Sequence, residues 1–106
     1  MFRNEKLKNQ IMQFSAVFFE ENASNISLIT ITNCEIFEKQ KKAILYITAL
    51  PENKEIEALA YVRRRLGELQ EFLQKKMRIR SIPFLEAQID QGEKAQRRIE
   101  ELLRSS

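Results

Sequence analysis

Two stretches of β-branched and apolar residues, joined by a short charged connector, constrain the fold of this chain more than any other feature. ISLITITNCEIF covers residues 26–37, EKQKK covers 38–42, and AILYITAL covers 43–50. β-Branched residues favour strands, and a link this short predicts an antiparallel hairpin. Alternation along the first strand predicts one face formed by Leu28, Thr30, Thr32, Cys34 and Ile36, and an opposite face formed by Ile29, Ile31, Asn33, Glu35 and Phe37.

Helical spacing is found on both sides of the hairpin. The preceding helix is predicted by apolar residues that recur every three or four positions, at Leu7, Ile11, Phe14 and Phe18. Three polar residues predict its end, namely Asn22, Ser24 and Asn25. After Pro51, which ends the second strand, helical spacing runs over 52–77. Because glycine weakens a helix interior, this long helix is predicted to break or kink near Gly67.

Two further elements follow. FLEAQID (84–90) alternates apolar and polar residues as a strand does, Gln91 and Gly92 are predicted to form a turn, and 93–104 is a short amphipathic helix. A length of 106 residues suits one domain, 1–106. The predicted fold class is α+β, with a three-stranded sheet and helices packed on one of its faces.

Residues that most enzymes need are missing from the sequence. It contains no histidine, one cysteine and two glycines. The commonest general base and metal ligand is therefore absent, and two glycines cannot form a glycine-rich phosphate loop. We expect no catalytic residues, no metal, no cofactor and no small-molecule substrate. Cys34 is expected to be a small buried residue, since free cysteines are usually buried.

The sequence also constrains the compartment. A single cysteine forms no intrachain disulfide and suits a reducing environment. Charges are scattered among the first apolar residues, unlike a signal peptide, and no stretch approaches the roughly 20 apolar residues of a membrane span. We expect a cytoplasmic monomer with no membrane partner.

The most informative feature for function is a basic segment within 63–80. Its cations are Arg63, Arg64, Arg65, Lys75, Lys76, Arg78 and Arg80. Its only acidic residues are Glu68 and Glu71. Such cations can bind the phosphate oxygens of a nucleic acid without reading bases. The alternative is a solvated helix face on which Glu68 and Glu71 pair with Arg64 and Lys75.

The order helix, hairpin, helix, helix, strand is that of a type II KH domain, a fold that grips a nucleic-acid backbone with a GXXG loop. This chain has Arg65-Leu66-Gly67 at the corresponding point. Three blocks occur in order: LITITNCEIFEKQKKAILYITAL (28–50), MRIRSIPFLEAQID (77–90) and RRIEELL (97–103). In these blocks the chain resembles the ribosome-binding factor A family, whose KH-like domain replaces the loop by a kinked Ala-x-Gly segment.

Carried over by position, the resemblance implies roles for individual residues. Gly67 would be the kink glycine, and Asp90 would end the last strand. Arg78, Arg80 and Pro83 would lead from the second hairpin helix into that strand.

Two positions depart from the family pattern, since Arg65 replaces a small alanine and Gln70 replaces the usual arginine. The resemblance implies binding to free or immature small ribosomal subunits, with contacts to 16S rRNA near its 5′ end and decoding region. Such occupancy would support late maturation and exclude premature translation without covalent chemistry. The residues expected to bind RNA are Arg63, Arg64, Arg65, Gly67, Lys75, Lys76, Arg78 and Arg80. A protein–protein adaptor is the main alternative, and a small enzyme is a third possibility.

Overall fold

The computed structural model of the chain describes residues 2–21, 28–79 and 81–105. Its helices are α1 (Phe2–Glu21), α2 (Glu55–Arg64), α3 (Leu66–Met77) and α4 (Gln91–Ser105), and a short 3₁₀ helix at Glu52–Lys54 precedes α2. Its strands are β1 (Leu28–Phe37), β2 (Lys42–Leu50) and β3 (Phe84–Ile89). The predicted α+β class and element order are confirmed. The predicted helix end at 22–25 and the first two residues of the predicted first strand lie outside the described residues.

The central strand of the sheet is β2, because the strand order is β1-β2-β3. β1 pairs with β2 antiparallel, which confirms the predicted hairpin, and β3 pairs with β2 in parallel. A parallel neighbour needs a long crossover connection, and α2 and α3 provide it. β2 lies between the other two strands, and its side chains Ala43, Leu45 and Ile47 are fully buried in the core beneath the helices.

β1 does not keep the strict alternation predicted from its sequence. Thr32 lies in a β-bulge, where the pairing with β2 shifts between Ile31 and Asn33. The extra residue reverses the phase of the strand. The side chains that pack against the core are therefore Ile29 and Ile31 before the bulge, and Cys34 and Ile36 after it. The two predicted faces were wrong in this respect: Leu28, placed on the face of Cys34, is 65% exposed.

Three helices cover one face of the sheet. α1 lies against β1, α2 contacts β2 and β3, and α3 contacts α1 and β3. Their apolar stripes meet the inward side chains of β2, and each fully buried aliphatic side chain contributes roughly 1.5–3 kcal/mol. The largest side chains that are fully buried are Ile11, Leu45, Ile47, Val62, Leu69 and Leu73.

α4 begins directly after β3, without the predicted turn at Gln91 and Gly92, which form its first residues. Asp90 makes this possible, because its Oδ1 accepts a hydrogen bond from the Glu93 backbone N–H at 2.9 Å and so caps the helix. Its Oδ2 accepts a hydrogen bond from the bulge residue Thr32 at 2.6 Å. Asp90 thus ties the start of α4 to the far strand of the sheet.

Lys94 connects the first turn of α4 to α2. Its Nζ lies 3.0 Å from Oε1 of Glu55, a carboxylate that is only 6% exposed. One turn further along α4, Arg98 pairs with Glu52 at 3.3 Å, and Ile99 of the apolar stripe of this helix is 58% exposed. None of the helices in the described ranges is long and apolar enough to cross a membrane.

Candidate nucleic-acid interface

The break between α2 and α3 lies at the segment predicted to contain it, but Arg65 rather than Gly67 leaves the helical path. Arg65 has φ −96° and ψ 0°, and it ends α2 and precedes α3. Its N–H donates to the Val62 carbonyl at 3.0 Å, while its own carbonyl accepts from the Leu69 N–H at 2.9 Å. This bridge conformation has a negative φ and therefore does not require glycine. The sequence-based prediction relied on glycine, yet Gly67 has no positive φ.

The three arginines at the break have different surroundings. Arg64 is exposed, and no hydrogen bond or ion pair is seen for its side chain within the described residues. Arg65 lies 2.9 Å from Glu68, with its guanidinium 5.2 Å from the centre of the Tyr61 ring. The hydrogen bond to Glu68 raises the pKa of Arg65 above its ordinary value. The solvated-face alternative drawn from the sequence paired Glu68 with Arg64, whereas in the structure Glu68 pairs with Arg65.

Arg63 closes part of the open edge of β3. Edge strands carry backbone groups without strand partners, and Arg63 supplies a partner to one of them. Its Nε and Nη2 donate to the Ala87 carbonyl at 3.2 and 3.0 Å. A groove of about 350 Å³ lies here, between Leu66 and residues 84–88. Arg63 therefore contributes to the fold as well as to the surface charge.

A second group of cations lies at the other end of α3. Lys75 and Lys76 are exposed in its last turn, and the Lys76 ammonium lies 5.6 Å from the centre of the Phe72 ring. Arg78 follows in the left-handed conformation with φ 53°, and its N–H donates to the Gln74 carbonyl at 3.2 Å. A single residue in this conformation is a common way to end a helix. Arg80 lies outside the described residues.

The predicted basic surface is therefore two groups rather than one cluster. Arg65 and Lys75 are ten positions apart, which at 1.5 Å per residue places the groups about 15 Å apart along α3. We call them the break group (Arg63, Arg64 and Arg65) and the end group (Lys75, Lys76 and Arg78). Two cationic groups held apart by a rigid helix can contact separate phosphates of one folded nucleic acid.

Two further observations concern possible metal ligands and the single cysteine. Residues 2–21, 28–79 and 81–105 contain no group of His, Cys, Asp and Glu side chains that could hold a metal ion. Cys34 is 1% exposed, and burial raises the pKa of its thiol to about 11, so it stays protonated at neutral pH. The predicted burial of Cys34 is confirmed.

Two features of the surface were not predicted from the sequence. The bond from Arg63 to the backbone of β3 has no sequence signal, since it joins residues 24 positions apart. Phe84 is 65% exposed at the start of β3. The alternation of FLEAQID could have revealed it, because Leu85 and Ala87 occupy the inward positions and Phe84 is out of phase with them.

The chain has recognisable relatives. Its sequence matches the family model described as Ribosome-binding factor A over residues 3–103. The crystal structure of ribosome-binding factor A from Thermus thermophilus superposes with a TM-score of 0.71 at 22% identity, covering 80% of this chain and 93% of that chain. A homology model of the Thermus thermophilus protein, fitted into a cryo-EM map of a 30S–RbfA complex, gives a TM-score of 0.68 at 23% identity, with coverages of 78% and 90%. No curated protein matches the chain.

Proposed function

Because the chain belongs to the ribosome-binding factor A family, we propose that it binds free or immature small ribosomal subunits through 16S rRNA and supports their late maturation. The similar Thermus thermophilus protein has been fitted into a map of a complex with the 30S subunit. The proposed mechanism is occupancy: the bound protein holds rRNA segments in one arrangement and then dissociates.

The observation that carries the proposal is the pair of cationic groups at the two ends of α3. Arg64, Lys75 and Lys76 are exposed, so their charged ends can reach phosphate oxygens. The helix between the groups keeps their spacing, which favours a folded RNA with phosphates at a matching distance over a flexible strand. Such contacts position a protein on RNA without reading its bases.

Arg63 and Arg65 are held by contacts within the protein, so their guanidinium groups are already oriented before RNA binds. Arg65 is oriented by Glu68 and by the ring of Tyr61, so it loses less side-chain freedom on binding than a lysine would. Arg63 is oriented by the Ala87 carbonyl. These two residues shape the edge of the binding surface, and the freely exposed cations supply the phosphate contacts.

Co-sedimentation with purified small subunits tests the proposal. The variant Arg64→Gln, Lys75→Gln, Lys76→Gln removes three exposed positive charges, and we leave Arg63 unchanged because of its bond to β3. The control Lys6→Gln, Arg98→Gln, Arg104→Gln makes the same change in net charge at exposed positions elsewhere. We expect the first variant to lose co-sedimentation and the control to retain it, with both keeping the far-UV circular dichroism of the parent protein.

Salt dependence separates RNA binding from the adaptor alternative. Binding through phosphates weakens steeply with salt, and each lost contact lowers the slope of log affinity against log salt by roughly 0.7–0.9. Measured at low salt, where electrostatic binding is strongest, the first variant should therefore show a slope lower by about 2 to 3, and the control should show the slope of the parent. Equal losses in both variants, or binding that does not depend on salt, would contradict the proposal and favour a protein partner.

A further inference from the structure

The face of the sheet opposite the helices ends in a row of two aromatic rings and a lysine. Phe37 of β1 pairs with Lys42 of β2, which in turn pairs with Phe84 of β3. Paired residues of neighbouring strands share a face, so the three side chains lie side by side across the sheet. We call them the aromatic row.

The two rings of the aromatic row differ in exposure, since Phe37 is partly buried and Phe84 is 65% exposed. The Lys42 ammonium lies 5.4 Å from the centre of the Phe37 ring and 3.3 Å from a Glu86 oxygen. The Phe84 N–H donates to the Lys41 carbonyl at 2.9 Å, which holds the start of β3 against the hairpin turn. Among the aromatic side chains that the structure describes, Phe84 alone is largely exposed, and none of the other described rings stacks on it.

A groove of about 700 Å³ continues from the aromatic row around the end of the sheet. Its apolar wall includes Leu7, Ile36 and Pro83, and its polar groups include the Gln70 amide and the Ser81 hydroxyl. These amide and hydroxyl groups can donate and accept hydrogen bonds. An apolar groove with a few polar groups suits a flat ring that carries hydrogen-bonding edges.

The charge at the groove indicates which partner of this kind it fits. Lys41, Lys42 and Glu38 of the hairpin turn line the groove, and the exposed Lys39 lies beside them in the same turn. Lys42 is paired with Glu86, so Lys39 and Lys41 are the cations of the turn that remain for a ligand. Aromatic rings next to lysines are the combination by which proteins hold single-stranded nucleic acid, since bases stack on the rings and phosphates meet the cations. Paired bases within a helix do not offer a free face for such stacking.

We propose that this groove binds an unpaired segment of rRNA, with one base stacked on Phe84 and adjacent phosphates facing Lys39 and Lys41. This inference rests on the proposed function, and it adds a contact on the sheet side to those of α3. Gln70 and Ser81 are placed to hydrogen-bond the edge of the stacked base. The two surfaces would bind different parts of the RNA: the cationic groups of α3 contact folded RNA, and the groove binds a single-stranded segment.

The test uses the full chain and a short fluorescein-labelled oligouridine, with affinity measured by fluorescence anisotropy at low salt. We expect Phe84→Ala to weaken binding about tenfold, within the range found for loss of one base–aromatic stack, and Phe84→Tyr to bind like the parent. Phe84→Leu should weaken binding nearly as much as Phe84→Ala, because leucine is apolar but has no ring. The matched control is Leu28→Ala, which removes a side chain of equal exposure, 65%, from the other end of the same sheet face.

A second measurement locates the contact directly. Ultraviolet crosslinking of an oligouridine that contains 5-iodouridine, followed by peptide mass spectrometry, should label the peptide that contains Phe84. Binding of Phe84→Leu equal to that of the parent, or crosslinks confined to other peptides, would overturn the stacking proposal. Co-sedimentation with small subunits then separates the two proposals. If Phe84→Ala co-sediments as well as the parent does, the proposed function stands without the stacking contact. If the parent itself does not co-sediment, the proposed function is refuted.

Discussion

Replacing Asp90 with alanine removes two hydrogen-bond acceptors that join β1, β3 and α4. Loss of the bond to the Glu93 N–H removes a helix cap, which typically costs about 1 kcal/mol. The bond from the Thr32 hydroxyl goes to a charged acceptor at 2.6 Å, and such bonds contribute about 1.5–3 kcal/mol. Because Asp90 is partly exposed, we take the lower part of this range. The expected loss in the free energy of unfolding is about 2–3 kcal/mol.

Urea unfolding followed by far-UV circular dichroism measures this loss, since the chain has no tryptophan for fluorescence. A double-mutant cycle with Thr32→Val isolates the bond between the two side chains. Thr32→Val replaces the hydroxyl by a methyl group of similar size and should cost about 1.5 kcal/mol. We expect a coupling energy of about 1.5 kcal/mol between the two substitutions, because each removes the same bond. Asp90→Asn should lose less than Asp90→Ala, since asparagine also caps helices.

The pH dependence gives an independent check with a defined sign. Hydrogen bonds from Thr32 and from the Glu93 N–H hold the pKa of Asp90 below its ordinary value. A carboxyl group whose pKa is lower in the folded state stabilises that state above its unfolded pKa, about 3.9 for aspartate. This contribution is lost as the pH falls through the folded pKa. The stability difference between the parent and Asp90→Ala should therefore be constant from neutral pH to about 5 and decrease below about 4.

Two results would refute this reasoning about Asp90. A coupling energy within the roughly 0.3–0.5 kcal/mol of additive behaviour would show that the Thr32 hydroxyl and the carboxylate do not stabilise each other. A stability loss in Asp90→Ala that stays the same down to the acid transition would show that the charged form of Asp90 has no special role.

Three further predictions concern separate parts of the fold. Gly67→Ala should raise the free energy of unfolding in urea by about 0.5–1 kcal/mol, because an added Cβ meets no atom within 4 Å and alanine favours helices; a lower stability would show that the break needs glycine. Lys94→Met should lower the free energy of unfolding by about 1–3 kcal/mol, because it leaves the buried Glu55 carboxylate without its cation. Arg98→Met should lower it by less than about 1 kcal/mol, because the Arg98 side chain is 63% exposed. Equal losses in the two variants would contradict this ranking. Cys34 should react with iodoacetamide at pH 8 far more slowly in the native protein than in urea, and similar rates would contradict the burial that keeps its thiol protonated.

Much of the fold followed from local patterns in the sequence. The β-branched runs on either side of 38–42 predicted the hairpin, because strand propensity and a short link act between neighbours in the chain. Helical spacing predicted α1 and the pair α2 and α3 for the same reason. The basic segment also predicted which helices carry the exposed cations, since charged side chains seldom lie in a core.

The candidate site was less predictable, because its geometry depends on contacts between distant residues. The sequence contains the cations within 63–80, but only the fold shows that α3 separates them into two groups and that Arg63 is held by Ala87. The partner of Glu68 depended on the break at Arg65, whose backbone conformation has no specific sequence signal.

The sequence by itself determined the element order, the α+β class, the absence of histidine chemistry and the family resemblance. The tertiary structure decided which way the side chains face. Alternation along β1 fails at Thr32, where a bulge places Ile31 and Cys34 on the same side of the sheet. A bulge is a property of the pairing between two strands, and here the bulged Thr32 also bonds to Asp90, 58 positions away in the chain. Periodicity describes one strand at a time, so it could not reveal a reversal that depends on β2 and on the start of α4.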